Sequence, residues 1–517
     1  MKLRLKFDQP KIKISHNGKA EAFGKTSNYN EPALIETDLD LLNIAYPLFP
    51  QNITSFLNKI HKTVNQEDHK EIQRRTNENI GSDPGIIPVT GNDIFNYIAR
   101  YGMANFQIQV VMKLEGRLDP GKLKKAVRLS MDAEPVFGCR FVEGQPPYWK
   151  RRENLDSIKF CTVVKSKNPD KSTQDFLESP LDMDHDPMVR LKLIQSGSKD
   201  TLCLKINHTC CDGTGVKEYL QLLSNIYSRL DKGDGNFTPK PSNRSRIDQD
   251  RLLNALGIKD PEAIRDPKKE TPKTLWAFPW RSAKPEALRS AICQLPAGYV
   301  DILSRNAKAK GASINDWIVT GIYRAMFEVS HPFYGVPMDI PMTVDLRRYL
   351  PNQKTEAIRN FSGGFITSLA RLMNEPFEGT LSRVVTMMNR IKNGYPGVQS
   401  AVGLEFIEKC NFFDTKSYYQ KLSKPLCQYA GYIKLCTPVL SNLGVLDKSL
   451  FRFGKTVAAD AFIVPPALCA PGLLFCIGSY NGIMTIAVSY YESQVRKEVV
   501  EGLLDLIRKE LMENCKT

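Results

Sequence analysis

The chain has 517 residues, of which 42% are hydrophobic and 25% charged, an ordinary composition for a soluble globular protein. That length suits two or three domains or one large two-lobed body. The net charge of +15 favours polyanionic partners such as phosphorylated cofactors, anionic lipid or an acidic protein, but without an arginine-rich arm or a recognisable motif, nucleic acid is not expected.

The first 85 residues read as a separate N-terminal extension. Alternation in "KLRLKF" and "KIKIS" predicts a short strand or an extended basic arm. Ile53, Phe56, Leu57, Ile60 and Val64 follow at helical steps; such a stripe is core packing or, alternatively, a helix lying on a membrane surface. The start of the chain lacks the continuous apolar segment of a secretory signal, and no run of about 18 uncharged apolar residues predicts a membrane span. A cytoplasmic protein is expected, with peripheral membrane contact left open.

From residue 86 the pattern becomes denser. "NFQIQVVMKLEG" alternates as a strand, and Leu123, Val127 and Met131 mark a helix bounded by prolines. "CRFVEGQPPYWKR" reads as a hairpin, and "DPMVRLKLIQSGSKDTLCLKIN" as two strands around a polar turn. "INHTCCDGTG" then runs strand, loop, helix, with Val216, Tyr219, Leu220 and Leu223 on one helical face. A stretch rich in Pro, Lys, Arg and Asp leads into the second half, with 251–285 assigned as the crossover linker. Beyond it come a helix–turn–helix ("YVDILSRNAKAKGASINDWIVTGIYRAMFEV"), the strands "MDIPMTVDL" and "GGFITSLARL", and a helix over 379–392. Strands near Ser441, Cys476 and Thr485 and a terminal helix close the chain. Mixed strands and helices in both halves predict an α/β body with two similarly sized lobes, over 86–250 and 286–517.

His208 sits where a strand ends, with Asp212 four residues on, and Gly213 and Gly215 are read as allowing a tight backbone turn. An imidazole suits a base near neutral pH, and Asp212 could hold the loop that aims it. The alternative is a histidine packed in the core. Cys210 or Cys211 as a nucleophile is disfavoured because neighbours in one turn rarely aim at one another. A metal site is not expected, since His208, Cys211 and Asp212 lack further ligands at a recognisable spacing. "LDMDHDP" superficially resembles a calcium loop but fails at Pro187 and Leu193, so Asp182, Asp184 and Asp186 read as a solvated turn. The twelve cysteines are irregularly spaced without a C-x-x-C pair and read as free thiols packed as small hydrophobes.

Together these motifs resemble the chloramphenicol-acetyltransferase-like superfamily, in particular its alcohol O-acetyltransferases and the condensation domains of nonribosomal peptide synthesis. "INHTCCDGTG" is similar to the family's H-H-x-x-x-D-G motif, "LESPLDMDHDPMVRLKLI" to the segment upstream of it, and "MTVDLRRYLP" to its D-x-R strand. "NFSGGFITSL" and "SNLG" follow in family-like order, so the resemblance runs from about residue 86 to the end. It implies two α+β sandwich lobes in a V-shaped body, with a tunnel between them that thioester and acceptor enter from opposite faces.

On that resemblance His208 is the general base. Asp212 is a structural residue in a salt bridge to Arg347, and Asp345 supports the same strand. Asn207 replaces the first family histidine. Asn207, Gly213, Asp345, Ser441 and Asn442 are expected along the tunnel, with Ser441, Asn442 or the backbone N–H groups after His208 as oxyanion donors. The implied activity is acyl transfer to a hydroxyl of a small-molecule or lipid acceptor, with no tightly bound cofactor. Acyl-CoA or a phosphopantetheine thioester on an acidic acyl carrier protein would be the co-substrate. The alternatives are amide formation with an amine acceptor and a non-catalytic scaffold. The lack of adjoining carrier or adenylation modules in these residues favours a free-standing enzyme.

Overall fold

Two mixed sheets organise the chain, and their strands coincide with the alternating and fully apolar runs of the sequence. The computed structural model describes residues 11–14, 20–23, 83, 85–235, 237–242, 248–259, 274–408 and 410–515. The helical stripe at 53–64 and the "KLRLKF" alternation lie outside the described residues. β1 (Lys11–Ile14) and β2 (Ala20–Phe23) form a small antiparallel pair of their own.

In the first half, β3 (Ile86–Pro88) leads into α1 (Gly91–Ile98), which a Thr90–Asp93 capping box starts. β4 (Gln107–Leu114) precedes α2 (Pro120–Ala133), capped by Asp119 with Pro120 in its first turn. β5 (Cys139–Val142) and β6 (Tyr148–Arg151) form the expected hairpin and join β3 in a three-stranded sheet. β7 (Cys161–Lys165), α3 (Pro169–Glu178), β8 (Val189–Ser196) and β9 (Lys199–Asn207) lead to α4 (Gly213–Asp231). α5 (Asp248–Ala255) spans the end of this half.

In the second half, β10 (Trp276–Ala277) pairs with a strand of the second sheet, and Trp276 is fully buried. The end of the expected linker is therefore packed into the second lobe. β11 (Leu288–Gln294), α6 (Tyr299–Ala309), α7 (Ile314–Ser330), β12 (Pro337–Asp345), β13 (Ser362–Ala370) and α8 (Phe377–Lys392) follow the sequence pattern. Two helices that periodicity did not reveal come next, α9 (Val398–Glu408) and α10 (Phe412–Ile433). Pro425 lies within the second, and proline inside a helical pattern normally signals a break. β14 (Leu435–Val445), β15 (Arg452–Phe453), β16 (Thr456–Val464), β17 (Gly472–Tyr480), β18 (Ile483–Tyr491) and α11 (Lys497–Glu513) complete the chain.

The second sheet runs β11-β18-β17-β14-β12-β13, and the first runs β15-β16-β4-β9-β8-β7. The first sheet thus borrows β15 and β16, at one edge, from the second half, β16 pairing antiparallel with β4 from Ala458↔Leu114 to Val464↔Gln109. A boundary drawn in sequence does not separate the lobes cleanly, because a strand completes whichever sheet offers it unpaired N–H and C=O groups. Each lobe keeps its own core: Leu123, Val127, Leu204 and Tyr219 in the first, Trp317, Tyr323, Phe475 and Ile507 in the second. A third apolar cluster joins α1 to α9 and α10 through Ile94, Ile98, Leu404 and Phe412. No helix among the described residues is long and apolar enough to cross a membrane.

The carboxylates of "LDMDHDP" are spent locally. Asp182 accepts from the N–H groups of Asp184 and His185, Asp184 pairs with Arg100 at 2.7 Å, and Asp186 accepts from Arg190 at 2.9 Å. On β9, Lys205 is buried, its ammonium donating to the backbone and hydroxyl oxygens of Ser179 and lying 4.5 Å from the Phe176 ring centre. Burial, reinforced by Arg190, pulls its pKa down to about 7. The unfolded chain, with an ordinary lysine pKa of about 10.4, then binds more protons than the folded one between those values. Stability should rise through this window by up to about 1.4 kcal/mol per pH unit from this group. Chemical denaturation of Lys205→Met from pH 7 to 10 should show that slope lost.

Candidate active site

β9 and α4 place the central residues. Asn207 is the last residue of β9 and His208 opens the turn that follows it. His208 is half-buried, and its backbone N–H donates to Phe106 O at 2.7 Å. Asp212 is the N-cap of α4, its Oδ1 accepting from Gly215 N at 2.7 Å. Neither Gly213 nor Gly215 has a positive φ. Contrary to the tight-turn expectation, Gly215 serves close approach: a Cβ there would lie 2.7 Å from Cys211 Cβ and 3.1 Å from Arg359 O.

Arg347 and Asp212 meet in the interior. Nη1 of Arg347 lies 3.0 Å from Asp212 Oδ2 and 3.1 Å from Asp345 Oδ1, and its Nη2 donates to Arg359 O at 2.8 Å. Glu218, one turn into α4, adds a third carboxylate 3.2 Å from Arg347 Nε. Asp212 Oδ2 also accepts from Phe361 N at 2.6 Å. Burial alone would raise the Asp212 pKa, but Arg347 and the Gly215 and Phe361 N–H groups outweigh it and hold the carboxyl below its ordinary value. Glu218 loses that contest: burial pushes it up to about 7, and the nearby Asp212 and Asp345 charges add to the rise.

Between the two residues tied to this cluster lies Asn360, fully buried. Its Nδ2 faces three acceptors, His208 O at 3.0 Å, Thr209 O at 2.8 Å and Asp93 Oδ1 at 3.3 Å. That fixes the amide orientation and leaves Oδ1 facing His208 Nδ1 at 3.1 Å. An acceptor oxygen there requires the Nδ1–H tautomer, so Nε2 carries the free lone pair. Asp93 is in turn held by Trp149 Nε1 at 3.2 Å. Burial depresses the His208 pKa, keeping the imidazole neutral at physiological pH.

Two cavities meet at His208. One, of about 180 Å³, is walled mainly by apolar side chains including Phe106, Ile108, Val439, Leu468 and Leu474. The other, of about 720 Å³, is the more polar of the two, with Thr343, Asn442, Lys217 and Arg348 beside apolar Met342, Phe365 and Ile391 in its walls. His208, Gly213 and Ser441 line both.

Residues 102–243, which include the His208–Gly213 segment, match a family model described as "Condensation domain". Over 128 residues the chain is 28% identical to the nonribosomal peptide synthetase nlsA of Emericella nidulans, covering 24% of this chain and 2% of that protein. Among solved structures, the first condensation domain of the CDA synthetase superposes with a TM-score of 0.56 at 15% identity, covering 84% of this chain and 98% of that one. The TRI3 trichothecene 15-O-acetyltransferase of Fusarium sporotrichioides gives 0.60 at 12% identity, covering 82% and 94%. Polyketide synthase associated protein 5 of Mycobacterium tuberculosis gives 0.59 at 16% identity, covering 84% and 100%. The chain has the two-lobed condensation-domain fold.

Within this condensation-domain fold the expected tunnel residues divide. Asp345 and Asn442 line the polar cavity, and Gly213 and Ser441 line both. Asn207 lines neither: it turns inward, where its Oδ1 accepts from Thr209 N and its Nδ2 lies 3.3 Å from Met183 Sδ. The backbone N–H groups of Thr209 and Cys210 donate to Asn207 Oδ1 and Asn207 O. Ser441 accepts from the Thr343 hydroxyl at 3.0 Å, which leaves its own proton to donate. Cys210 and Cys211 are fully buried, and burial drives the Cys211 thiol well above its ordinary pKa, the wrong direction for a nucleophile.

Asn360 and Glu218 were not singled out from the sequence, although Asn360 opens the quoted segment "NFSGGFITSL". Two outcomes follow from this geometry. Arg347→Ala or Asp212→Ala strands a buried charge and should cost about 3–5 kcal/mol in denaturant titrations, with clear coupling in a double-mutant cycle. Nitrogen NMR of neutral His208 should show the Nδ1–H tautomer, and Asn360→Ala should convert it to a tautomer mixture.

Proposed function

We propose that the protein is an acyltransferase that moves an acyl group from a thioester to an acceptor hydroxyl, with His208 as general base. The observation that carries this reading is a neutral imidazole whose Nδ1–H is fixed by Asn360 at the junction of two cavities. Nε2 takes the acceptor proton as the oxygen attacks the thioester carbonyl carbon. The tetrahedral oxyanion, with the Ser441 hydroxyl as its donor, collapses to the ester and expels the thiolate, which recovers the proton from His208. Asp212 and Arg347 act by position, holding the loop and the 359–361 segment around the imidazole.

The co-substrate in this reading is acyl-CoA or a phosphopantetheine thioester, which the basic charge of the chain suits, and the enzyme works in the cytoplasm. Amide formation from carrier-protein thioesters is the second reading, favoured by the match of residues 102–243 to condensation domains. The same base then deprotonates an amine. A scaffold without activity would have no need of a tautomer-fixed histidine opening onto two cavities.

Thiol release from acyl-CoA and acyl-pantetheine donors, assayed over a panel of alcohols and amines, tests the reading. Mass spectrometry of the products separates ester from amide. His208→Ala should lower turnover at least about 10²-fold. Absence of any His208-dependent turnover across a broad panel would overturn the catalytic assignment.

A further inference from the structure

The polar cavity carries a charge that the acyl transfer proposed above does not use. Lys217 lies four residues beyond Gly213 on α4, so both residues share one helical face, about 6 Å apart along the axis. Both line the polar cavity together with His208. The Lys217 ammonium donates to Leu443 O at 3.2 Å across the cleft, and among the described residues it forms no ion pair. The carboxylates on the same cavity wall, Asp212 and Asp345, are held by Arg347. Burial depresses the Lys217 pKa, outweighing the nearby Asp345 and Asp212 carboxylates, which act to raise it. A partly buried ammonium whose hydrogen bond goes to a carbonyl, and whose neighbouring carboxylates are already engaged by Arg347, is placed to meet an anion from the open side of the cavity.

We propose that Lys217 binds a carboxylate that one substrate carries a few bonds from its reacting atom. The location decides between anions. The phosphates of CoA or of a pantetheine arm lie a whole pantetheine chain from the thioester. They would reach outward toward the exposed Arg348, or Lys392 at 43% side-chain exposure, rather than Lys217 one turn from the base. The carboxylate could belong to a dicarboxylic acyl group or to a hydroxy- or amino-acid acceptor. Both present the same chemistry to the ammonium. This assignment rests on His208 marking the reaction centre.

Titration calorimetry on the full chain distinguishes the sources. One arm compares succinyl-pantetheine with butyryl-pantetheine, the other L-lactate with methyl L-lactate. In one arm the carboxylate ligand should bind at least about tenfold tighter than its uncharged partner. Lys217→Met should bring that ratio close to one, and Lys217→Arg should retain most of it. At alkaline pH, carboxylate binding by the native protein should take up protons, a signature that a purely structural lysine would not give. Equal affinities in both arms, or a preference that survives Lys217→Met, would overturn the proposal. Should Lys217→Met not fold, Lys217→Gln and the proton-uptake measurement decide it. Repeating the titrations on His208→Ala separates the two readings, because the charge preference should persist where turnover is lost.

Discussion

The guanidinium of Arg347 is the tie on which the rest of the site depends. It comes from the second half of the chain, just beyond β12, and reaches Asp212 at the start of α4 in the first half. The same group holds Asp345 on its own strand and the carbonyl of Arg359. Asp212, the other pole of the pair, accepts the N–H of Phe361. Two charged side chains therefore clamp the peptide groups on either side of Asn360. What they deliver is the position of that one amide, which in turn decides the tautomer of His208. The motif's aspartate and arginine act on His208 through three consecutive backbone positions, at a distance, without touching the imidazole.

Such a buried cluster is weak evidence for stability, because desolvating the charges offsets much of their attraction. Its value is geometric. One guanidinium cannot neutralise three carboxylates, and the structure resolves the excess unevenly. Asp212 keeps its charge with help from two backbone N–H groups, whereas Glu218, which has none of these, is raised to about 7. A proton on Glu218 near neutrality reduces the surplus negative charge that the cluster holds beside the imidazole. The fully buried Asn360 and Asp93 extend the same logic, since every acceptor around the Asn360 amide is supplied by a group that is itself held.

Much of the fold was legible because its strands and helices announce themselves locally. β8 and β9 show in "MVRLKLIQSGSKDTLCLKIN", α2 between its prolines, and α7 behind its Ser313–Asp316 capping box. His208, Asp212 and Arg347 were legible through motifs in order along the chain. What escaped shares one property, that it depends on who the neighbour is. β16 looks like any apolar strand, and nothing in its residues says that it pairs with β4 across more than three hundred positions. Asn207 and Asn360 are chemically identical, yet one turns inward and the other meets the His208 imidazole. Asp93 reads only as a helix cap, and Glu218 only as a polar residue early in a helix. Lys217 was likewise indistinguishable from a solvated lysine. Burial and partner geometry separate them, and periodicity carries neither.

The borrowed strands also explain how a cleft with walls from both halves can hold an imidazole steadily. β16 supplies Ile463 to the apolar cavity while it closes the first sheet, and β14 supplies Ser441 and Leu443 from the second. α9 brings Leu404 to the same cavity and packs against α1, whose capping aspartate holds Asn360. Moving the halves apart would break sheet pairing, the Arg347 cluster and an apolar cluster together. The cavities can therefore differ in chemistry, one walled mainly by apolar groups and one with charged groups of both signs in its wall, while the histidine between them stays in register. Strand pairing and buried charge set where His208 stands. The walls on either side are left free to choose what it meets.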